Sequence, residues 1–184
     1  MKIHSHGLGI ISNKLKLMED NKVPDSFMTN LGENYEWIWL PSSDVKQFLV
    51  IRNAEHVRLN MRNNSPITME VHLNFLQKYD SLQRVDFVLL DKNSEQYVGG
   101  MHISLTSHGI ELGKYIGNVE YLGRGIAYPM SMSFISFVKE NFSGIAKIRA
   151  VTRLDNCKNI NLNFKLGFRI IQLVEENYWL MEMN

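Results

Sequence analysis

Apolar residues along this chain keep two rhythms, and the changes between them mark its elements. The aromatic-rich run Glu36-Trp37-Ile38-Trp39-Leu40 has the make-up of a strand. Pro41-Ser42-Ser43-Asp44 stops it and ends on a side chain suited to capping a helix; Val45, Phe48, Leu49 and Arg52 then recur at helical spacing. After the polar loop 61–66, a second cap at Thr68 opens an amphipathic helix through Val71, Leu73, Phe75, Leu76 and Tyr79. Three strands are expected next, at 85–90, 97–105 and 110–116, parted by short polar stretches that suit antiparallel hairpins.

The rhythm then returns to the helical one. Met130, Phe134, Phe137, Val138 and Phe142 lie at i, i+4, i+7, i+8 and i+12, one apolar stripe. Pro129 fits only in a first turn, where its missing N–H costs nothing, so this helix starts near 125–128. A strand at 146–151, a helix at about 157–166 and two closing strands at 168–174 and 178–183 complete the pattern. A strand–helix–strand crossover within a mainly antiparallel meander implies an α/β (α+β) fold. Its mixed sheet has about seven strands, with an antiparallel N-terminal half and flanking helices. We read 34–184 as a single domain. Residues 1–33 carry no such signal: they are an N-terminal extension that packs on the domain or a partner chain, or is partly disordered, and 21–34 reads as polar loop.

Composition narrows the function. A chain of 184 residues with 45% hydrophobic and 21% charged residues is an ordinary globular composition. The net charge of +1, with no basic block, argues against a nucleic-acid partner. A lone cysteine, Cys157, excludes a disulfide within the chain and suits a cytoplasmic setting. No apolar run approaches the roughly 18 residues of a membrane span. The six histidines show no metal-ligand spacing, so no metal is expected.

The most informative segment lies where the last strand of the meander gives way to the helix: Tyr121-Leu122-Gly123-Arg124-Gly125-Ile126-Ala127. Glycines let backbone amides close on an anion, and a helix N-terminus points free N–H groups and partial positive charge at it. Glycine turns also join strands to helices where no ligand binds. About thirty residues on, Asp155-Asn156-Cys157-Lys158-Asn159-Ile160 runs into Lys165-Leu166-Gly167-Phe168.

Together these segments resemble the Gcn5-related N-acetyltransferases, which move acetyl from acetyl-CoA to amines. The resemblance spans about 37–183 by element order and is most specific over 110–168. Leu122, Gly123, Arg124, Gly125, Ile126 and Ala127 stand on the six places of the family's pyrophosphate loop; only Leu122 departs, replacing a Gln or Arg. Asn156 matches the family's pantetheine-binding asparagine, and Asn159 stands where a small Ser or Ala is usual. The resemblance implies that Tyr115, Ile116 and Gly117 line the cofactor through main-chain hydrogen bonds; plain ladder pairing is the alternative. Within the superfamily the sequence is most similar to the RimJ/RimL-type protein acetyltransferases and the PseH-like amino-sugar acetyltransferases. It leans toward the second through 117–126, Tyr128-Pro129-Met130 and His56-Val57-Arg58.

The implied activity is transfer of acetyl to a primary amine by direct attack in a ternary complex. The acceptor expected is a nucleotide-activated amino sugar; a protein N-terminus or another small amine is the alternative, and a non-catalytic acyl-CoA-binding module is the reading of another class. Glu111, fourteen residues before Gly125, is the candidate base or else a solvated strand charge. Asn163 occupies the place of a family tyrosine that protonates the leaving thiolate, yet an amide cannot deliver a proton at neutral pH. Cys157 reads as an ordinary residue at a helix start, and His72 as a helix histidine near the acceptor pocket. A monomer and a homodimer remain equally open.

Overall fold

The structure, a computed structural model, describes residues 23–142 and 145–184. Most of the N-terminal extension therefore lies outside the described residues. Eight strands form one sheet: β1 (Ser26–Met28), β2 (Tyr35–Trp39), β3 (Arg84–Asp91), β4 (Gln96–Thr106), β5 (Gly109–Ile116), β6 (Ile148–Arg153), β7 (Arg169–Val174) and β8 (Tyr178–Met183). Among the described residues five α-helices accompany them: α1 (Val45–Asn53), α2 (Glu55–Arg58), α3 (Met69–Gln77), α4 (Ala127–Asn141) and α5 (Cys157–Lys165). The strand order is β1-β2-β3-β4-β5-β6-β8-β7.

The fold class expected from the sequence is the one found, with one more strand. That strand is β1, which pairs Ser26 with Ile38 through Met28 with Glu36 inside a stretch read as loop. Three residues are too few to show a period, and Ser and Met carry little strand preference. Both expected caps are in place. Asp44 accepts from the Gln47 amide at 2.8 Å and Thr68 from the Val71 amide at 3.2 Å.

Antiparallel pairing runs from β1 to β5 and from β6 through β8 to β7. The two halves join only where β5 meets β6, the one parallel pair. Such a pair needs a crossover, and α4 is that crossover. Its apolar stripe explains where it lies. Met130, Phe134 and Val138 are at most 1% exposed and pack on the sheet with Trp37, Phe87 and Met101. The indole N–H of Trp37 donates to Ser133 Oγ at 3.2 Å, fixing the helix against β2. A smaller cluster of Leu40, Phe48, Ile51, Val88 and Tyr97 seats α1 on the opposite face. Among the described residues no helix is long and apolar enough to cross a membrane.

Phe134 fixes the crossover to the sheet from a fully buried position. Replacing it with alanine should lower unfolding free energy by about 3–5 kcal/mol, read from urea denaturation; a loss below ~1 kcal/mol would contradict this packing.

Candidate functional site

Parallel strands β5 and β6 touch at one register position, Glu111 opposite Arg149. Beyond it β5 continues to Ile116 and β6 to Arg153 without pairing, so the strands part and one edge of β5 is left without a strand partner. Apart from the Ile116 carbonyl, which His56 takes, backbone polar groups there are free to bond an extended, amide-bearing ligand as a neighbouring strand would. A cavity of about 830 Å³ opens at this gap. Its walls come from β5 and β6, from α1 to α3 on one face, and from the starts of α4 and α5 on the other.

The glycine turn stands at the mouth of the gap. Gly123 and Gly125 have φ of +75° and +76°, which side chains with a Cβ rarely adopt, and nothing lies within 4 Å of where a Cβ would stand on either. No side chain caps α4, and the amides of Gly123, Gly125, Ile126 and Ala127 find no acceptor among the described residues. Free N–H groups, open space and a fifteen-residue helix behind them make a cradle for an anion. Tyr121 anchors the cradle from below: its hydroxyl donates to Asp91 at 2.6 Å and lies 3.2 Å from Ser94 Oγ. Pro129 is the third residue of α4, where it displaces no hydrogen bond.

Most of the residues singled out in the sequence converge here. Glu111, Tyr115, Ile116, Leu122, Ala127, Asn156 and Asn159 all line the cavity. Asn156 caps α5 through Oδ1, which accepts from the Asn159 amide at 3.1 Å and leaves its amide nitrogen free to face a ligand. The Asn159 side chain donates to Thr152 Oγ1 at 3.0 Å, so its extra bulk over a serine is turned into β6. Ile126 is buried under the turn, and Arg124 is exposed, 3.6 Å from Glu120. Gly117 does not reach the cavity; its amide is spent on the Val98 carbonyl at 3.0 Å. The Ile116 carbonyl meets His56 Nε2 at 2.9 Å. Cys157 is exposed at the start of α5.

Asn163 is fully buried and committed at both ends. Its Nδ2 donates to Thr152 Oγ1 at 3.1 Å and approaches Met181 Sδ at 3.4 Å, while Oδ1 accepts from Lys114 Nζ. Lys114 had escaped notice in the sequence, although its position betrays it. Leu112, Lys114 and Ile116 share one face of β5, and a lysine between two core residues is out of register with the alternation. Burial lowers its ammonium to about 7.

Glu111 points to the opposite face, beneath α1–α3. Its Oε2 is buried without a partner, and Oε1 lies 3.9 Å from Arg62. This wall holds a polar cluster that periodicity could not reveal. Arg84 Nε donates to Asp86 at 2.7 Å, and the Tyr79 hydroxyl donates to the same carboxylate at 3.1 Å. Burial works to raise the Asp86 carboxyl, but the Arg84 guanidinium overrides it and holds the group ionised. His102 Nδ1 is 3.9 Å from Asp86, yet burial, helped by Arg84, pushes the imidazole down to about 3, so it is neutral. Arg52 lies over the Tyr115 ring, and its Nη1 is buried without a partner. His72, 2% exposed, stacks on Phe48 and has no partner for Nε2. Burial lowers its pKa as well. The loop after α2, polar in composition, is pinned: Asn53 makes two 2.8 Å bonds to the Ile67 backbone, and Arg58 donates to the Asn64 carbonyl at 2.7 Å. Among the described residues no group of three or more His, Cys, Asp or Glu side chains gathers to hold a metal.

No family model matches the chain. An uncharacterized protein of Methanocaldococcus jannaschii is 24% identical over 177 residues, covering 95% of this chain, and the chain spans 34% of that relative's length. Among solved structures, the GNAT domain of S. lividans PAT superposes with a TM-score of 0.68 at 13% identity, over 86% of this chain and 94% of that one. Spermidine N-acetyltransferase from Vibrio cholerae, solved with CoA and spermine, gives 0.65 at 17% over 83% and 96%. The N-acetyltransferase PseH of Campylobacter jejuni gives 0.60 at 16% over 82% and 98%. The chain has the fold of the GNAT acetyltransferases.

A neutral, half-buried His102 sets a pH dependence. Between pH 6.5 and about 3 the unfolded chain binds a proton that folded His102 refuses, so its contribution is present above 6.5 and lost as pH falls through that window. Urea midpoints at pH 7 and pH 4.5 should drop less for His102→Gln than for the parent; equal drops would mean the imidazole is not held neutral.

Proposed function

We propose that this chain is an acetyl-CoA-dependent N-acetyltransferase that acetylates a primary amine by direct attack within a ternary complex. The observation that carries the reading is the unpaired edge of β5 leading to a turn with four unengaged amides. The diphosphate of CoA suits the Gly123–Ala127 cradle, and the amide-rich pantetheine arm suits the free strand edge beside Asn156. Leu122, Arg124 and Ile126 shape the turn around its amides, and Tyr115 and Ile116 form the wall the arm follows. Glu111, its Oε2 unpartnered beneath the acceptor side, takes the ammonium proton so that a neutral amine attacks the thioester carbonyl.

The acceptor we favour is a nucleotide-activated amino sugar. Arg52, Arg62 and Arg84 line that side of the cavity against Glu111 and Asp86, so positive charge is in excess among the lining side chains, Arg62 also pairing at 3.2 Å with Glu175 outside the lining. The unpartnered Nη1 of Arg52 is suited to a phosphate or carboxylate on the acceptor. The same excess disfavours a polycation such as the spermine in complex with the Vibrio cholerae enzyme. A peptide N-terminus is the alternative acceptor. The thioester donor and the single free thiol fit a cytoplasmic setting.

Calorimetry should show CoA binding that Gly125→Glu abolishes, because a carboxylate would fill the cradle and repel the diphosphate. Thiol release from acetyl-CoA should be fastest with UDP-linked amino sugars across a panel including spermidine and an N-terminal peptide. Glu111→Gln should cut kcat by about 10²-fold. CoA binding with no turnover on any amine would instead favour a non-catalytic acyl-CoA-binding module.

A further inference from the structure

We propose that Lys114 is the acid that protonates the departing CoA thiolate, held for that task by Asn163. The inference rests on the transferase reading above and adds a residue to it. If the diphosphate sits at the glycine turn and the arm follows the unpaired edge of β5 back toward Glu111, the thioester comes to rest between Ile116 and Glu111. Lys114 lies on that stretch and lines the cavity. Side chains alternate across a strand, so Glu111 and Lys114, three residues apart, stand on opposite faces. Glu111 faces the acceptor wall with Arg62; Lys114 faces α5, where Asn163 Oδ1 takes one of its protons and the Phe168 ring lies 6.0 Å away. A base on the amine side and an acid on the thiol side of one strand is the layout the transfer requires.

The surroundings of Lys114 suit a proton donor. Elements around it contribute Met101 from β4, Thr152 from β6 and Met130 from α4. The charged groups on the cavity wall nearest that side are Arg153 at the end of β6 and the exposed Lys158 on α5; no carboxylate of β6, α4 or α5 pairs with the ammonium among the described residues. Desolvation alone moves Lys114 to about 7, close to the range in which a thiol ionises. Asn163, unable to donate a proton itself, fixes the ammonium because its own Nδ2 is anchored on Thr152. It is a positioning residue.

The step balances as follows. The amine nitrogen forms a bond to the acetyl carbonyl carbon, and the carbonyl electron pair moves to oxygen. On collapse that pair re-forms the C=O bond and the C–S bond breaks, leaving its electrons on sulfur. Lys114 Nζ transfers one proton to sulfur, giving CoA thiol. The ammonium proton taken by Glu111 before attack is released to solvent, the second proton, lost from the new amide nitrogen, passes to water, and neutral Lys114 is reprotonated from solvent.

The test compares Lys114→Met and Lys114→Arg with the parent. Arginine keeps size and charge but holds its proton far above neutrality, so it controls for packing and for a purely electrostatic role. Both variants should bind CoA with unchanged affinity, lose about 10- to 100-fold in kcat, and lose the fall in kcat that the parent shows above pH 7. Unchanged kcat and an unchanged basic limb in both variants would overturn the proposal. A second measurement does not need turnover: the Lys114 side-chain NMR signal should titrate near pH 7 and move on adding CoA but not desulfo-CoA. Equal movement with both ligands would also overturn it. A parent that binds CoA yet acetylates no amine would sink the transferase reading, and the NMR pair would still decide whether Lys114 meets the sulfur.

Discussion

The structure depends on the single register position at which β5 and β6 meet. Arg149 clamps that point: its guanidinium donates to the His108 carbonyl in the turn before β5 and to Glu182 on β8 at 3.0 Å. Glu182, 3% exposed, also takes Lys147 at 2.9 Å, so one buried carboxylate holds the guanidinium that reaches across to the other half of the sheet. Pinned at one end and unpaired at the other, the two strands diverge. The divergence yields the cavity, the free edge of β5 and a place for the crossover helix to begin at the mouth. Three parts of the candidate site thus follow from one topological fact.

The two faces of β5 are electrostatically unlike. Beneath α1–α3, the Arg84–Asp86 pair is satisfied by Tyr79, which donates its hydroxyl proton to the carboxylate while its oxygen accepts from the Asp86 amide at 2.7 Å. A buried ion pair is tolerable only when its remaining valences are met in this way. The neighbouring His102 stays neutral because burial disfavours its charged form, and the positive charge of Arg84 adds to the effect. On the α5 face no such pair forms. Lys114 meets only an amide oxygen and a ring, and the protein accommodates it by lowering its affinity for the proton. The same burial therefore gives a fixed ion pair on one side and a titratable group on the other, the difference being a carboxylate two residues from Arg84.

Periodicity made much of this visible. The α4 stripe, the meander and both helix caps are long or chemically distinctive signals, and the structure has them within a few residues. The glycine turn was legible because only glycine suits φ near +75° at two alternate positions. What escaped was short or non-local. β1 has three residues and α2 four, too few for a period to emerge. The Gly117 amide reads as a cofactor contact until β4 is seen to take it. Asn163 stood out as a missing tyrosine, but its link to Lys114 spans 49 residues and exists only once α5 lies across β5. The arginine wall is non-local in the same way, drawing Arg52 from α1 and Arg84 from β3.

The departure at Leu122 is intelligible in the same terms. A Gln or Arg there would add a side-chain donor to the cradle, whereas Leu122 lines the cavity mouth half-exposed and adds none. The charge the turn does carry is Arg124, whose partner Glu120 lies 3.6 Å away with both side chains well exposed. An exposed pair of this kind contributes at most about 1 kcal/mol. A diphosphate bringing two negative charges to amides beside it offers the guanidinium a stronger, bidentate partner. On the proposed reading Arg124 leaves Glu120 when the coenzyme arrives. The turn then recovers, from its third residue, the side-chain contact it lacks at its first.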